Sequence, residues 1–184
     1  ALLNLHRFDS RAMKPPFRLP LVFSLAAAVF ALGGCASAPQ PRPYSVRVTL
    51  DNDLVGSSIE VDLVGVNTIA DLPKWQNYSV TQYWQPQDTF RHDAHKYTMQ
   101  FGPGTAKSFT LLSTDPIWKD WLGTGATNLV VMADLPEAAA DQSGNADPRR
   151  LILPLDKHAW GSDVNTIDIL VQESGLKLLT AHKP

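Results

Sequence analysis

The sequence has 184 residues, of which 18% are charged and 9% are aromatic, with a formal net charge of -2 and a single Cys. This length predicts one ordinary domain, with or without a tail. The near-neutral charge gives no electrostatic footprint for nucleic acid, and one Cys excludes both an internal disulfide framework and a Cys-rich zinc module. The composition is too apolar and too aromatic for a disordered chain.

The amino end has the pattern of a secretory signal peptide. Met13, Lys14 and Arg18 supply a basic start, the run over 19–32 is apolar except for two residues, and two glycines follow it. A basic start, an apolar middle and small residues at the cut are typical of a signal peptide. The run is too short for a membrane-spanning helix, which needs roughly 20 apolar residues.

The end of this run resembles the lipobox of bacterial lipoproteins. Its residues are Leu32, Gly33, Gly34 and Cys35. The resemblance implies cleavage before Cys35 and a diacylglycerol on its sulfur. The alternative is a buried thiol in an apolar helix. We expect residues 1–34 to be removed, with 1–12 as an upstream extension before a start at Met13.

Residues 35–43 are predicted to be a lipidated Cys and a Pro-rich spacer. Three prolines in the eight residues after Cys35 favour an extended chain that reaches about 25 Å. The part from Cys35 onward has 12 basic and 17 acidic residues, so membrane attachment must come from acyl chains rather than from charge. Ala36, rather than Asp, follows the Cys, which by resemblance to enterobacterial lipoproteins implies an outer-membrane location facing the periplasm.

Residues 44–184 are predicted to form an all-β domain, a two-layer antiparallel β-sandwich with a short helical insert. Apolar and polar residues alternate over 45–50 and 58–63, as in strands with one buried face. Glu60 and Asp62 are placed on the wet face. The other predicted strands are 78–84, 97–101, 108–112, 128–135 (buried on both faces), 151–155, 164–171 and 176–180.

Helix signals are few in this domain. Asp115 and Pro116 are typical of a helix start, and Gly123 of its end. The segment 68–75 is a candidate for another helical turn, and 137–148 is predicted to be an exposed loop.

His92 and His95 are weak candidates for metal ligands. Two imidazoles three residues apart can share a metal if a third ligand, such as Asp88 or Asp93, completes the site. The competing interpretation is a polar loop between two strands. No nucleophile motif, phosphate loop or dinucleotide fingerprint is present, and no cofactor is predicted.

The aromatic residues have two interpretations. Trp118 and Trp121 lie on one side of the short predicted helix, where they either cap one end of the sandwich with buried indoles or face a partner. Tyr83 and Trp84 are a second candidate for an exposed aromatic contact.

The combination of a lipobox, a Pro-rich spacer, a small β-sandwich and a helical insert resembles the lipoprotein of the type VI secretion system. The resemblance covers the plan from Cys35 to the last strand. It implies a transthyretin-like sandwich that tethers the inner-membrane part of a secretion complex to the outer membrane. The hypothesis from sequence is therefore a non-enzymatic, lipid-anchored binding module with a protein partner in the periplasm. The alternative is a periplasmic metal-binding protein or hydrolase that uses His92, His95 and a nearby carboxylate.

Overall fold

The computed structural model of the chain describes residues 39–135 and 140–183. The predicted signal peptide, lipobox and Cys35 lie outside these residues, as does part of the predicted loop over 137–148. The strands in the described part are β1 (Ser45–Leu50), β2 (Ile59–Val66), β3 (Lys96–Phe101), β4 (Ser108–Leu111), β5 (Asn128–Ala133), β6 (Arg150–Pro154), β7 (Thr166–Gln172) and β8 (Gly175–Leu178). The helices are α1 (Leu72–Asn77), α2 (Val80–Tyr83), α3 (Thr89–Asp93) and α4 (Ile117–Gly123). None of these helices has both the length and the apolar character that crossing a bilayer requires.

The strands form two four-stranded sheets, which confirms the predicted β-sandwich. One sheet has the order β4-β1-β7-β8 and the other the order β3-β2-β5-β6. Neighbouring strands are antiparallel except β1 and β7, which run parallel with Val46 opposite Ile167. The predicted antiparallel pairing therefore holds except for this one parallel pair. Alternation fixes which side of a strand is buried, but it does not fix the direction of a neighbour from the other end of the domain.

The main core lies between the two sheets and uses the alternating apolar residues predicted from the sequence. The inward side chains of the four central strands are Val46, Val48, Leu50, Ile59, Val61, Leu63, Leu129, Val131, Ala133, Ile167, Ile169 and Val171. All are at most 2% exposed. Burying a Val, Leu or Ile side chain stabilises the fold by roughly 1.5–3 kcal/mol relative to leaving it in water.

The segment 78–84 was predicted to be a strand, and this prediction is wrong. Residues 72–77 and 80–83 form helices α1 and α2, so the predicted turn of helix over 68–75 is confirmed in part. Ser79 begins α2, and its side chain accepts a hydrogen bond from the Gln82 N–H at 2.9 Å. The cap satisfies a backbone donor that has no partner inside a helix. It therefore stabilises a helix in a segment whose β-branched and aromatic residues favour a strand.

Helices α1, α2 and α3 cover the outer face of the β3-β2-β5-β6 sheet, and we call them the helical layer. A second buried cluster lies beneath this layer. Its members are Val64, Val66, Trp75, Val80, Tyr83, Val130 and Met132. Strand β5 is thus buried on both faces, as predicted, because the sandwich covers one face and the helical layer the other.

Helix α4 covers one end of the sandwich. Asp115 accepts a hydrogen bond from the Ile117 N–H at 3.0 Å, which satisfies a donor at the helix start as predicted. Trp118 and Trp121 are 2% and 1% exposed. A methyl group at Gly65 would overlap the Trp121 side chain, so glycine at this position allows α4 to pack directly against β2.

The last residues of the predicted spacer pack against the domain. Arg42 N–H donates to the Leu155 carbonyl at 3.1 Å, and Gln40 N–H donates to the Asp156 carboxylate at 3.2 Å. Lys157 N–H in turn donates to the Gln40 carbonyl at 3.1 Å. The chain therefore joins the domain beside the 3-10 helix Lys157–Ala159.

Candidate binding surface

A buried carboxylate joins the helical layer to the sheet. Asp62 of β2 is 0% exposed. It accepts hydrogen bonds from the Tyr83 hydroxyl at 2.9 Å, the Arg91 Nε at 2.8 Å and the Thr98 hydroxyl at 2.6 Å. The prediction that this side of β2 faces water is wrong for Asp62, because α2 and α3 cover it. A carboxylate whose oxygens already serve three donors is suited to holding structure rather than to transferring protons.

Arg91 connects this buried carboxylate to the surface. Its guanidinium pairs with Asp62 and with Glu60, and it lies 4.2 Å from the centre of the Trp84 ring. Burial alone lowers the pKa of Arg91, but the two carboxylates outweigh burial and hold that pKa above its ordinary value. Burial and the neighbouring Asp62 both raise the pKa of Tyr83, so Tyr83 remains a hydrogen-bond donor at neutral pH.

A shallow depression of about 340 Å³ lies over this ion pair. We call it the Arg91 depression. Its lining residues are Glu60, Gln85, Pro86, Asp88, Arg91, His92, Lys96, Thr98 and Gln100. One wall is β3, which is the terminal strand of its sheet and has no strand beyond it in the described part of the chain. The depression offers polar side chains of both charges next to a free strand edge, a combination that suits a polar protein segment.

Arg150 holds helix α1 in place. Its side chain is fully buried at the start of β6, and it donates to the carbonyls of Trp75, Tyr78, Gln142 and Gly144. Burial lowers the pKa of Arg150. Four carbonyl acceptors compensate the loss of water around the guanidinium.

Arg149 holds helix α2 through two carboxylates. It pairs with Asp147 at 3.0 Å and with Asp141 at 2.5 Å. Asp141 also accepts hydrogen bonds from the Thr81 N–H at 3.0 Å and from the Ser79 hydroxyl. Burial opposes ionisation of Asp141, but these donors and Arg149 hold its pKa well below the ordinary range. The loop before β6 therefore holds the first residues of α2.

The four aromatic residues considered as partner contacts have different positions in the structure. Trp118 and Trp121 are core residues, which confirms the interpretation of a helix with buried indoles. Tyr83 is 0% exposed, so none of these three rings presents a contact surface, and the partner-facing interpretation is wrong for them. Trp84 is half-buried, its ring lies 4.2 Å from the Arg91 guanidinium, and among the described residues its buried indole N–H has no hydrogen-bond partner.

The two histidines contact different carboxylates and line different depressions. His92 lies 3.2 Å from Asp93, and His95 lies 3.4 Å from Asp120. His92 lines the Arg91 depression, and His95 lines a neighbouring one of about 400 Å³. Across residues 39–135 and 140–183, no three His, Cys, Asp or Glu side chains are gathered as a metal would need.

Asp88, a candidate for a third metal ligand in the sequence, stabilises the start of a helix in the structure. It begins helix α3, where its carboxylate accepts from the Arg91 N–H at 2.7 Å and from the Tyr78 hydroxyl at 2.6 Å. Burial and this carboxylate raise the pKa of Tyr78 to about 12. Asp88 thus ties the end of α1 to the start of α3.

Sequence reasoning missed both buried arginines and the role of Asp62. Arg149 and Arg150 follow Asp147 and Pro148 in the sequence, a pattern that is typical of any polar turn. The two arginines are buried because the helical layer, which is distant in sequence, packs next to them. No local sequence signal predicts this packing.

Comparison with known proteins gives a fold. No family model and no curated protein matches the sequence of the chain. Among solved structures, the chain is similar to a chain of a type VI membrane complex, with 14% identity and a TM-score of 0.50 over 76% of this chain and 99% of that one. Lip from Serratia marcescens, a membrane-bound component of the type VI secretion system, has 16% identity and a TM-score of 0.48 over 77% and 99%. The type VI secretion lipoprotein TssJ1 from Pseudomonas aeruginosa has 12% identity and a TM-score of 0.45 over 79% and 100%. The likeness to the membrane-complex chain confirms, for the fold, the resemblance predicted from the sequence.

Proposed function

We propose that this protein is a lipid-anchored assembly component of a type VI-like secretion complex. Acyl chains on Cys35 hold it at the inner side of the outer membrane, and the sandwich faces the periplasm. There it binds a protein partner and has no enzymatic role. The signal peptide and its upstream extension, 1–34, are removed from the mature chain.

The observation that carries the proposal is the arrangement of a lipobox directly before a β-sandwich of this fold. Cys35 stands only five residues before Gln40, which already contacts the domain. The fold is shared with a chain of a type VI membrane complex. Two or three acyl chains are enough for stable anchoring, whereas one chain anchors only marginally.

The chemistry of the described residues supports binding rather than catalysis. The three buried carboxylates of the described residues are occupied: Asp62 by three donors, Asp88 by the Tyr78 hydroxyl and the Arg91 N–H, and Asp147 by Arg149. We place the partner at the Arg91 depression, whose central Arg91 contacts the half-buried Trp84 and whose wall β3 ends its sheet in the described part of the chain. Aromatic and Arg side chains are favoured anchors at protein interfaces.

The anchor is tested by Cys35→Ser in the natural bacterium. We expect this variant to lose labelling by a fatty-acid analogue and to keep its signal peptide. A Ser37→Ala variant is the matched control and should label normally. Labelling that persists in Cys35→Ser would show that the lipid is attached elsewhere, and the proposed anchor would be wrong.

The partner surface is tested by crosslinking in intact cells. Gln85→Arg adds a bulky charge to the Arg91 depression, and Thr110→Arg adds the same side chain to an exposed position on β4. We expect Gln85→Arg to reduce the yield of the crosslinked partner by about tenfold, the effect of a lost interface contact of about 1.4 kcal/mol, and Thr110→Arg to leave it unchanged. Equal yields would place the partner on another surface.

The competing class is tested by metal analysis of the purified mature chain. The proposal predicts no stoichiometric zinc or copper. Stoichiometric metal that disappears in His92→Ala would instead support the metal-binding alternative, because the His92 side chain is 88% exposed and its removal leaves the core intact.

A further inference from the structure

The end of the domain where the spacer joins has a basic depression that the proposed partner surface does not use. It has a volume of about 290 Å³. Its lining residues are Arg42, Lys157, His158, Trp160, Gly161, Ser162 and Lys183. Three of these carry a fixed positive charge, although the mature chain as a whole has more acidic than basic residues.

The positive charges of this depression are only partly balanced by carboxylates. Among the described residues, no ion pair includes Arg42, Lys157 or Lys183. The Arg42 guanidinium donates instead to the Val164 carbonyl and to the Asn165 side chain, both uncharged acceptors.

The acidic residues of this region are Asp156 and Asp163. Asp156 accepts hydrogen bonds from the Gln40 and His158 backbone N–H groups, and these hold its pKa below the ordinary value. Asp163 lies beside Gly161 on the exposed loop. Two carboxylates against three fixed positive charges and one His leave the depression with an excess of positive charge.

Two buried donors near the depression have no partner. The Arg42 Nε–H and the Tyr44 hydroxyl are both buried and unbonded among the described residues. Arg42 lies 4.6 Å from the centre of the Tyr44 ring, and Tyr44 packs against Trp160 at 6.1 Å. Of the two, Arg42 lines the depression, so an unsatisfied guanidinium donor lies there beside unpaired positive charge, as expected of an anion-binding site.

The position of the spacer identifies the anion. A chain of five residues spans at most about 18 Å, so an anchor on Cys35 keeps Gln40 and the neighbouring basic depression within that distance of the bilayer surface. We infer that this depression binds the phosphates of anionic lipid headgroups, so that the spacer end of the domain rests on the membrane. The inference rests on the proposed function, because the anchor brings this end to the lipid.

Binding of headgroups at this depression would orient the domain on the membrane. Each Lys or Arg near an anionic leaflet strengthens binding by about fivefold, and the tether supplies a high effective concentration. A domain fixed by both the spacer and the basic depression presents the remainder of its surface, including the Arg91 depression, to a partner in a restricted set of orientations.

The test attaches the mature chain, residues 35–184, to vesicles through its single thiol. Coupling Cys35 to a maleimide lipid reproduces the geometry whether or not the bacterium acylates this residue. One vesicle preparation contains phosphatidylcholine alone, and the other contains about 30% phosphatidylglycerol. The measurement is the rate at which an uncharged amine reagent modifies individual lysines, read by mass spectrometry.

We expect phosphatidylglycerol to slow modification of Lys157 and Lys183 by about fivefold. Lys107 and Lys177 are internal controls, since both are exposed and neither lines the depression; their rates should change less than about twofold. Raising the salt concentration should remove the difference. Lys157→Gln should remove the protection of Lys183, whereas Lys107→Gln should not.

Three results would overturn the inference. Equal rates at Lys157 in both vesicle types would show that headgroups do not bind there, and an equal fall at all four lysines would show only a general surface effect. If inorganic phosphate slowed modification of Lys157 and Lys183 on phosphatidylcholine vesicles, at matched ionic strength, the depression would be assigned to free phosphate. None of these results depends on natural acylation of Cys35. The labelling experiment with Cys35→Ser therefore tests the anchor independently of this one.

Discussion

An Arg–Asp pair lies on the outer face of each sheet, and the two pairs have different surroundings. Arg47 and Asp168 pair at 2.6 Å on the outer face of the β4-β1-β7-β8 sheet, with side chains 52% and 33% exposed. Arg91 and Asp62 pair at 2.8 Å on the outer face of the other sheet, with side chains 22% and 0% exposed. Among residues 39–135 and 140–183, only the second outer face carries a helical layer. The same pair of residue types is therefore solvated in one place and buried in the other.

The comparison shows that a polar residue on a strand's outer face does not predict water above it. Alternation in β1 and β2 reports which side chains face the main core. Whether the other face is open to water depends on what packs against it. In β2 that face is covered by the helical layer, which comes from about the next thirty residues of the chain. This length suffices for three short helices at about 1.5 Å per residue. Removing one member of the buried pair should lower the free energy of unfolding more than removing one member of the exposed pair. The reason is that removal from the buried pair leaves its partner buried without compensation.

Removal of Arg150 should have the largest effect on the helical layer. Arg150→Met leaves four backbone carbonyls without their donor, and we expect the free energy of unfolding to fall by at least about 3 kcal/mol. Arg47→Met on the open sheet is the matched control and should cost much less, because water solvates its pair with Asp168. Urea denaturation of the mature chain measures both. Equal losses would mean that the helical layer does not depend on Arg150. If Arg150→Met fails to fold, Arg150→Lys, which keeps one charged donor group, should fold with an intermediate loss.

The two Arg–Asp pairs should differ when the charge of the carboxylate is removed. Asp62→Asn keeps the shape but weakens three hydrogen bonds to a buried ion, and we expect a loss of about 2–3 kcal/mol in the free energy of unfolding. Asp168→Asn should lose at most about 1 kcal/mol because water solvates this pair. Similar losses in the two variants would show that burial does not separate the pairs.

The sequence predicted the inner faces of the strands well and the helical layer poorly. The alternation of Val46, Val48 and Leu50 reports a local period, so it can be read without knowing the partner strand. Residues 78–84 combine Val, Thr, Tyr and Trp, which all favour strands, and packing onto the second cluster overrides that preference. The available signal was Ser79 followed three residues later by Gln82, the pattern of a capping box at a helix start.

The candidate site depends on contacts that the sequence does not encode locally. Arg150 donates to carbonyls about seventy residues earlier in the chain, and Asp62 bonds side chains from three different elements. Long-range contacts of this kind arise only after the sheet and the helices have packed. For this reason Asp62 was expected to be solvated, and Arg149 and Arg150 were not singled out at all.

Glycine at position 65 should be required wherever α4 covers β2. A methyl group there overlaps the Trp121 side chain, and overpacking of this kind costs roughly 1–3 kcal/mol. We therefore expect Gly65→Ala to lower the melting temperature of the mature chain. Gly102→Ala is the matched control, because nothing lies within 4 Å of a methyl group at that position, and it should be close to neutral. A similar loss in both variants would point to chain flexibility rather than to the contact with α4.

The smallest expected effect is on the acid sensitivity of the helical layer. The folded chain holds the pKa of Asp141 well below its ordinary value of 3.8. A carboxylate with a lowered pKa in the folded state stabilises the fold above its unfolded pKa, and this stabilisation is lost as the pH falls through the folded pKa. The free energy of unfolding should therefore be level above pH 5 and fall below about pH 4. Asp141→Asn should lower the stability at pH 6 and make the fall below pH 4 shallower. An unchanged slope in Asp141→Asn would show that the ion pair between Asp141 and Arg149 does not link the pH to the stability of α2.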